Sequence, residues 1–395
     1  MTTRGNSRAN ARLAGPPMTP EIGATTTPPG GEALCVAART LSSFEQIVDR
    51  YHFPQHLFGR GECIGILAFG GGISRDDLTR YFHQQTEAVP DVRFVDVTAA
   101  NRPNLNSQHD LELALDLQVV GRLAPGARIV IYFGTNDEPG WVDTLSRAIH
   151  DQENRPGILS ISWGATEDWW GTTTIHVLNQ LFEDAALLGI TICAASGDDG
   201  CARDSNGRCR VTFPASSPFV LACGGTSLVA GNREVVWNVR NKSASGGGIS
   251  DRLPRPIWQA RRKLASEPLR YDPHFDGRQL PDVSGLAGNS YSVYVGGSYR
   301  NFVGGTSAVA ALWSGFIARL NEGLKDRGLQ PVGYFHPRLY LDRSIQQSFQ
   351  NITVGHNDSF GTNGYHAAGG WNFCTGWGSP DGARLLEALA ARDQP

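Results

Sequence analysis

The feature that most restricts this chain is an alternation. From Cys63 onward, short apolar runs with strand composition are separated by longer stretches of helical periodicity. The runs are CIGILAF (63–69), RFVDV (93–97), RIVIYF (128–133), ILSISW (158–163), TICAASG (191–197) and FVLACGG (219–225). The helical stretches run from an N-cap at Ser74 to about 88, then near 108–122, 141–152 and 173–189. Strands alternating with helices predict a parallel sheet covered on both faces. Ligands in such sheets sit beyond the carboxyl ends of the strands, so the residues following each run carry the functional signal. The region 226–302 is richer in glycine and loops, a long helix follows Ser307, and a last helix is expected to start at Ser379-Pro380, with Ser as N-cap and Pro at its first position.

Three segments after strands stand out. VGGTSAVAALWSGFIARLN (303–321) places Ser307 at the mouth of an apolar helix behind two glycines. Serine there is a common helix cap; it also suits a nucleophile, because glycines admit a substrate backbone and a helix N-terminus favours negative charge. Glu112 and Asp116, four apart, share one face of a helix that is apolar nearly all round. Two carboxylates on a buried helix need a partner or a purpose. The plain alternative is a half-exposed helix whose acids are solvated or paired with Arg122. Asp198, in AASGDDGC, follows a Ser-Gly turn, where aspartate is common; it is functional only if it faces the same cleft. No histidine stands in a context that would serve a serine nucleophile as base, His109 included. FGGGIS (69–74) lacks the glycine spacing of a dinucleotide loop, and NAD binding is set aside.

GGTSAVA, with Glu112 and Asp116 upstream and SGDDG between, resembles the sedolisin, or serine-carboxyl peptidase, family, and its kumamolisin-like members in particular. LAPGARIVIYF, ILSISWG, FPASSPFVLACGGTSLV and WNFCTGWGSPDG carry the same resemblance, which covers about 41–391. It implies an α/β subtilisin-like fold: a mostly parallel seven-stranded sheet flanked by helices, one catalytic domain over 36–395. It implies Ser307 as nucleophile, Glu112 as its general base, Asp116 orienting Glu112, and Asp198 in the oxyanion hole. Ser162, Trp163 and Gly164 would line the cleft and pair with substrate backbone as an added strand. The activity implied is acid-acting endopeptidase cleavage of a peptide or protein through an acyl-enzyme, with a tripeptidyl exopeptidase or a non-catalytic peptide binder as alternatives. The chemistry is coherent by itself. A carboxylate base must be ionised, an aspartate facing an oxyanion must be protonated, and both hold together only in acid.

The chain departs from that family in several places. A large prodomain is usual, yet only 35 to 40 residues precede the mature-like start near FEQIVDRYHFP (44–54). A separate prodomain chain, its loss, or an incomplete sequence would each account for this. Ala68 stands where relatives carry a glutamate that extends the acid network, and Ala311 replaces a usual proline. The family's single calcium ion uses two aspartate side chains and three backbone carbonyls. The matching positions are Asn351, Ile352, Ala368, Gly370 and Asn372, with both aspartates now asparagine. Calcium affinity depends on ligand charge, so weak or absent binding is expected, with the amides hydrogen-bonding the carbonyls instead and Asp358 as an alternative ligand.

Composition bounds the partners. A formal net charge of −3 offers no basis for nucleic-acid binding, and no apolar run reaches the ~18 residues that span a membrane. A monomer is expected. Residues 1–35, rich in Pro, Thr and Gly, read as a disordered leader without the apolar core of a signal peptide, so localisation stays open although the family is usually secreted. The seven cysteines include no Cys-x-x-Cys pair. Cys63, Cys193 and Cys223 read as buried thiols. Cys201 and Cys209 are either a disulfide, if the chain is exported, or two free thiols. Cleft walls such as Thr212 would set specificity.

Overall fold

The structure, a computed structural model, describes residues 43–85, 89–99, 108–201, 209–260, 275–288, 291–358, 361 and 364–391. The leader expected at 1–35 lies outside these residues. The first four strands are β1 (Cys63–Ala68), β2 (Val92–Asp96), β3 (Arg128–Phe133) and β4 (Ile158–Ile161), followed by Thr191–Ala195, Leu221–Val229 and Val283–Leu286. They form one parallel sheet in the order Val283–Leu286, Leu221–Val229, Thr191–Ala195, β4, β1, β3, β2. An eighth strand, Arg233–Val236, returns antiparallel on the far half of Leu221–Val229. The order reverses direction at β1, and the site is built around the strand ends near that point.

Residue alternation along β1 shows how one strand serves two layers. Ile64, Ile66 and Ala68 join a core cluster with helices α3 (Gln108–Leu123) and α6 (Thr306–Lys325). Leu67 and Phe69 point the other way, into a cluster with α4 (Glu138–Ile149) and α5 (Thr172–Leu187), where Phe69 stacks on Trp141 at 3.8 Å. Period-2 alternation puts successive side chains on opposite faces, and each fully buried large side chain contributes roughly 1.5–3 kcal/mol of transfer free energy. Helices α1 (Phe44–Arg50) and α2 (Arg75–Gln84) flank the α3 side; Ser74 caps α2 as expected, accepting from Asp76 N–H. Among the described residues no helix is long and apolar enough to cross a membrane.

Three expectations need correction. Ser379-Pro380 does not open the last helix: it pairs antiparallel with Phe349–Gln350, and the cap is Asp381, whose side chain accepts from Arg384 N–H before Gly382–Ala390. A capping aspartate one step later competes successfully with the Ser-Pro signal. Helix α6 starts at Thr306 rather than after Ser307, with Gly305 at the N-cap. Two strands end early: β4 stops at Ile161 and its neighbour at Ala195, so Ser162–Gly164 and Ser196–Asp198 are turns beyond the sheet.

Candidate active site

Helix α6 begins without a side-chain cap, because its N-cap is Gly305 at φ +136°. That backbone favours glycine, and a methyl at this position would lie 2.7 Å from Asp198 Oδ2. The first turn therefore leads directly into the cleft, and its N–H groups, which have no partner within the helix, favour negative charge. Ser307, the second helical residue, is buried, and its hydroxyl donates to the Ser162 carbonyl at 3.3 Å.

The acids come from α3, which packs against α6 and is buried continuously from Asp110 to Leu123. Glu112 and Asp116 are both buried. Asp116 Oδ1 accepts from the Ser162 hydroxyl at 2.7 Å, a shorter contact than that hydroxyl's 3.4 Å approach to the Ser307 carbonyl. Glu112 Oε1 and Asp116 Oδ2 have no partner among the described residues. Burial, then the neighbouring Asp116, then Asp198 push the Glu112 carboxyl well up, while a hydrogen bond with the Ser307 side chain acts in the other direction. Burial also raises Asp116, opposed by Ser162. Such a pair of neighbouring buried carboxyls holds protons strongly. The alternative pairing with Arg122 is not what forms: Arg122 bonds Glu45 at 2.5 Å and Gln85 at 3.3 Å.

Asp198 reaches the same site from the turn after Thr191–Ala195. Its Oδ1 accepts from the Thr306 N–H at 2.9 Å and from the Thr306 hydroxyl at 2.7 Å. Burial lifts its carboxyl to about 6, with the two Thr306 bonds opposing. Since Oδ1 is occupied, a proton belongs on Oδ2, the oxygen against Gly305. Thr306 was not legible as a site residue. Its only signal is its place in GGTS, one step before the serine.

The turn after β4 completes the enclosure. Ser162 directs its hydroxyl to Asp116 and its carbonyl to Ser307, so it links the acids to the serine. Trp163 packs edge-on against His109 at 5.0 Å and Phe69 at 6.1 Å. His109 thus sits against an indole. Ala68 is buried in the α3-side core. Thr212 fills the gap between two turns: a methyl at Gly164 would meet its Cγ2 at 2.7 Å and one at Gly197 its Oγ1 at 2.5 Å.

The expected calcium positions form a separate cluster in the C-terminal loop, tied together by the amides of Asn351 and Asn372. Among the described residues no group of three or more His, Cys, Asp or Glu could hold a metal. Cys201 and Cys209 are joined as a disulfide, Cys193 and Cys223 are buried thiols, and Cys63 is half-buried.

The chain matches the subtilase family, Peptidase S8, over residues 97–378. It is 42% identical to kumamolisin of Bacillus sp. (strain MN-32), over 91% of this chain and 66% of that protein. It is 30% identical to tripeptidyl-peptidase sed5 of Aspergillus fumigatus, over 92% of this chain and 67% of that one. It thus spans about two thirds of these relatives' length. Among solved structures, Pseudomonas sedolisin, a serine-carboxyl proteinase complexed with pseudo-iodotyrostatin, superposes with a TM-score of 0.77 at 25% identity, covering 90% of this chain and 99% of that one. With this sheet, this serine and these relatives, the chain belongs to the sedolisin family of subtilisin-like serine peptidases, alongside kumamolisin-like members.

Proposed function

We propose that the chain is an acid-acting serine-carboxyl endopeptidase. The observation that carries this reading is the convergence of Ser307, Glu112, Asp116 and Asp198, from three separate segments, with no histidine among them. The Ser307 hydroxyl attacks the scissile carbonyl carbon, and its proton passes to the Glu112 carboxylate. Asp116, held by Ser162, keeps the remaining proton of the acid pair. The oxyanion of the tetrahedral intermediate takes a hydrogen bond from protonated Asp198. Glu112 returns its proton to the departing amine as the C–N bond breaks, leaving an acyl-enzyme on Ser307. Water then attacks the ester, gives a proton to Glu112, and the acid product leaves as Ser307 regains its hydrogen.

The competent form carries one negative charge on the Glu112–Asp116 pair and a proton on Asp198. Ionised Asp198 fails twice: it repels the oxyanion, and its charge opposes ionisation of Glu112. Activity is therefore expected to fall as pH rises through about 6. The substrate is a peptide or protein, delivered to the turn Ser162–Gly164 as an added strand.

A tripeptidyl exopeptidase is the second reading, because tripeptidyl-peptidase sed5 and tripeptidyl-peptidase 1 of Homo sapiens are among the similar proteins. Digestion of a peptide library across pH 3–7 with mapped cuts separates the two. Internal cuts at acid pH support the endopeptidase; release of tripeptides alone supports the exopeptidase. A peptide aldehyde that binds in acid without forming an adduct on Ser307 would leave only a peptide binder.

A further inference from the structure

The C-terminal loop does not fit the calcium ion that the family resemblance implies. Calcium takes six to eight oxygen ligands at about 2.3–2.6 Å. The positions that would supply them are instead closed by two carboxamides. Asn372 is buried, and its Oδ1 accepts from Cys374 N–H at 3.0 Å, Thr375 N–H at 3.1 Å and the Thr375 hydroxyl at 3.2 Å. Two backbone donors on one side fix which end of the amide is oxygen. Its Nδ2 must then face the other way, where it donates to the Ala368 carbonyl at 3.1 Å and the Ile352 carbonyl at 3.3 Å. Those are two of the carbonyls expected to hold the ion. Asn351 is oriented in the same manner: its Oδ1 accepts from Gly370 N–H at 2.6 Å and its Nδ2 donates to the Trp377 carbonyl at 3.4 Å.

Turning either amide to offer oxygen to a cation would set its NH₂ against backbone N–H groups. The fit therefore excludes the ion by orientation as well as by charge. We propose that the Asn372 carboxamide takes the place of the cation, so that the loop closes without calcium, and that aspartate at 351 and 372 converts it into a calcium site. With aspartate at 372, one oxygen keeps the Cys374 and Thr375 bonds. The other, ionised at neutral pH where the melts are run, confronts two carbonyl oxygens, a repulsion that a cation between them relieves.

The experiment compares thermal melts of the full chain and of the Asn351→Asp/Asn372→Asp variant in EDTA, millimolar calcium and millimolar magnesium, with calorimetric titration of calcium. The wild type is expected to melt at one temperature in all three and to give no binding heat. The double variant is expected to melt lower in EDTA and to regain roughly 5 °C or more with calcium but not with magnesium. A third variant, Asn372→Ala, loses the two carbonyl bonds and is expected to melt lower whatever the ion. A wild-type midpoint that drops on chelation and returns with calcium overturns the proposal. So does a double variant that calcium fails to stabilise or to fold, or an Asn372→Ala variant rescued by calcium.

Discussion

At the scale of single residues, the proposed mechanism divides its labour by protonation state rather than by residue type. Four groups of ordinary acidity or none are made to act differently by where they are buried. Ser307 is the group whose removal is cleanest to test. Its hydroxyl contacts the Ser162 carbonyl and Glu112. Ser307→Ala is therefore expected to lower kcat by ~10⁴ to 10⁶ while the melting temperature stays within a few degrees. Turnover within tenfold of wild type would remove the serine from its role. On the proposed mechanism, Asp198 carries the alkaline limb. In Asp198→Asn the amide donates to the oxyanion at any pH, so the fall in kcat/KM near pH 6 should disappear or move upward, at some loss of rate at the optimum. A limb that stays near 6 in the variant would assign it to another group. These roles could be proposed from the sequence because the residue types and their order are visible there. The Ser162–Asp116 bond could not, because it joins positions 46 apart through the packing of a helix beneath a strand end.

At the scale of elements, most of the alternation was legible. Six strands and the principal helices lie where apolar periodicity puts them, because a fully buried strand and an amphipathic helix write different periods. The seventh strand, Val283–Leu286, was missed for a physical reason: four residues, VSGL, with serine and glycine in the middle, give no apolar run, and only pairing with Leu221–Val229 makes them a strand. Helix α4 begins at Glu138, three residues before its expected start, because Asp137 caps it by accepting from Gly140 N–H at 2.8 Å. The element on which function turns is the entry to α6. Gly305→Ala would force a left-handed backbone onto alanine and press a methyl on Asp198 Oδ2. We expect ~1–3 kcal/mol of destabilisation by denaturant unfolding, together with a loss of kcat larger than that of a surface Gly→Ala control such as Gly231, where a methyl meets open space. Equal effects at the two sites would mean that backbone strain, not contact with Asp198, is all that Gly305 avoids.

At the scale of the whole molecule, the buried and half-buried carboxyls set the pH at which the fold is firmest. Glu112, Asp116, Asp198, Glu62 and Glu167 are all raised, with burial the largest cause in each. A raised carboxyl contributes stability that is complete below its unfolded value, about 4, and is lost as pH climbs through its folded value. For Asp198 that loss centres on about 6. The opposite sign belongs to Asp151 and Asp282. Burial would raise both, but hydrogen bonds from Asn154, Tyr132 and the Glu153 N–H bring Asp151 down to about 2, and the Arg278 guanidinium with His336 holds Asp282 far below the usual range. Their contributions are present above about 4 and lost as pH falls through the folded values. The melting temperature is therefore expected to peak between roughly pH 4 and 6 and to decline toward 8. A maximum at or above neutrality would show that the raised group does not dominate.

The amide closure of the C-terminal loop has a bearing on the media such a protein can tolerate. Aspartate ligands hold calcium only when ionised, so in an acidic digest protons compete with the ion, and citrate or oxalate strips what remains. A carboxamide neither titrates in that range nor surrenders anything to a chelator. A loop locked by Asn372 would keep its shape in sour, organic-acid-rich surroundings, where a calcium loop has to hold its ion against protons and chelators.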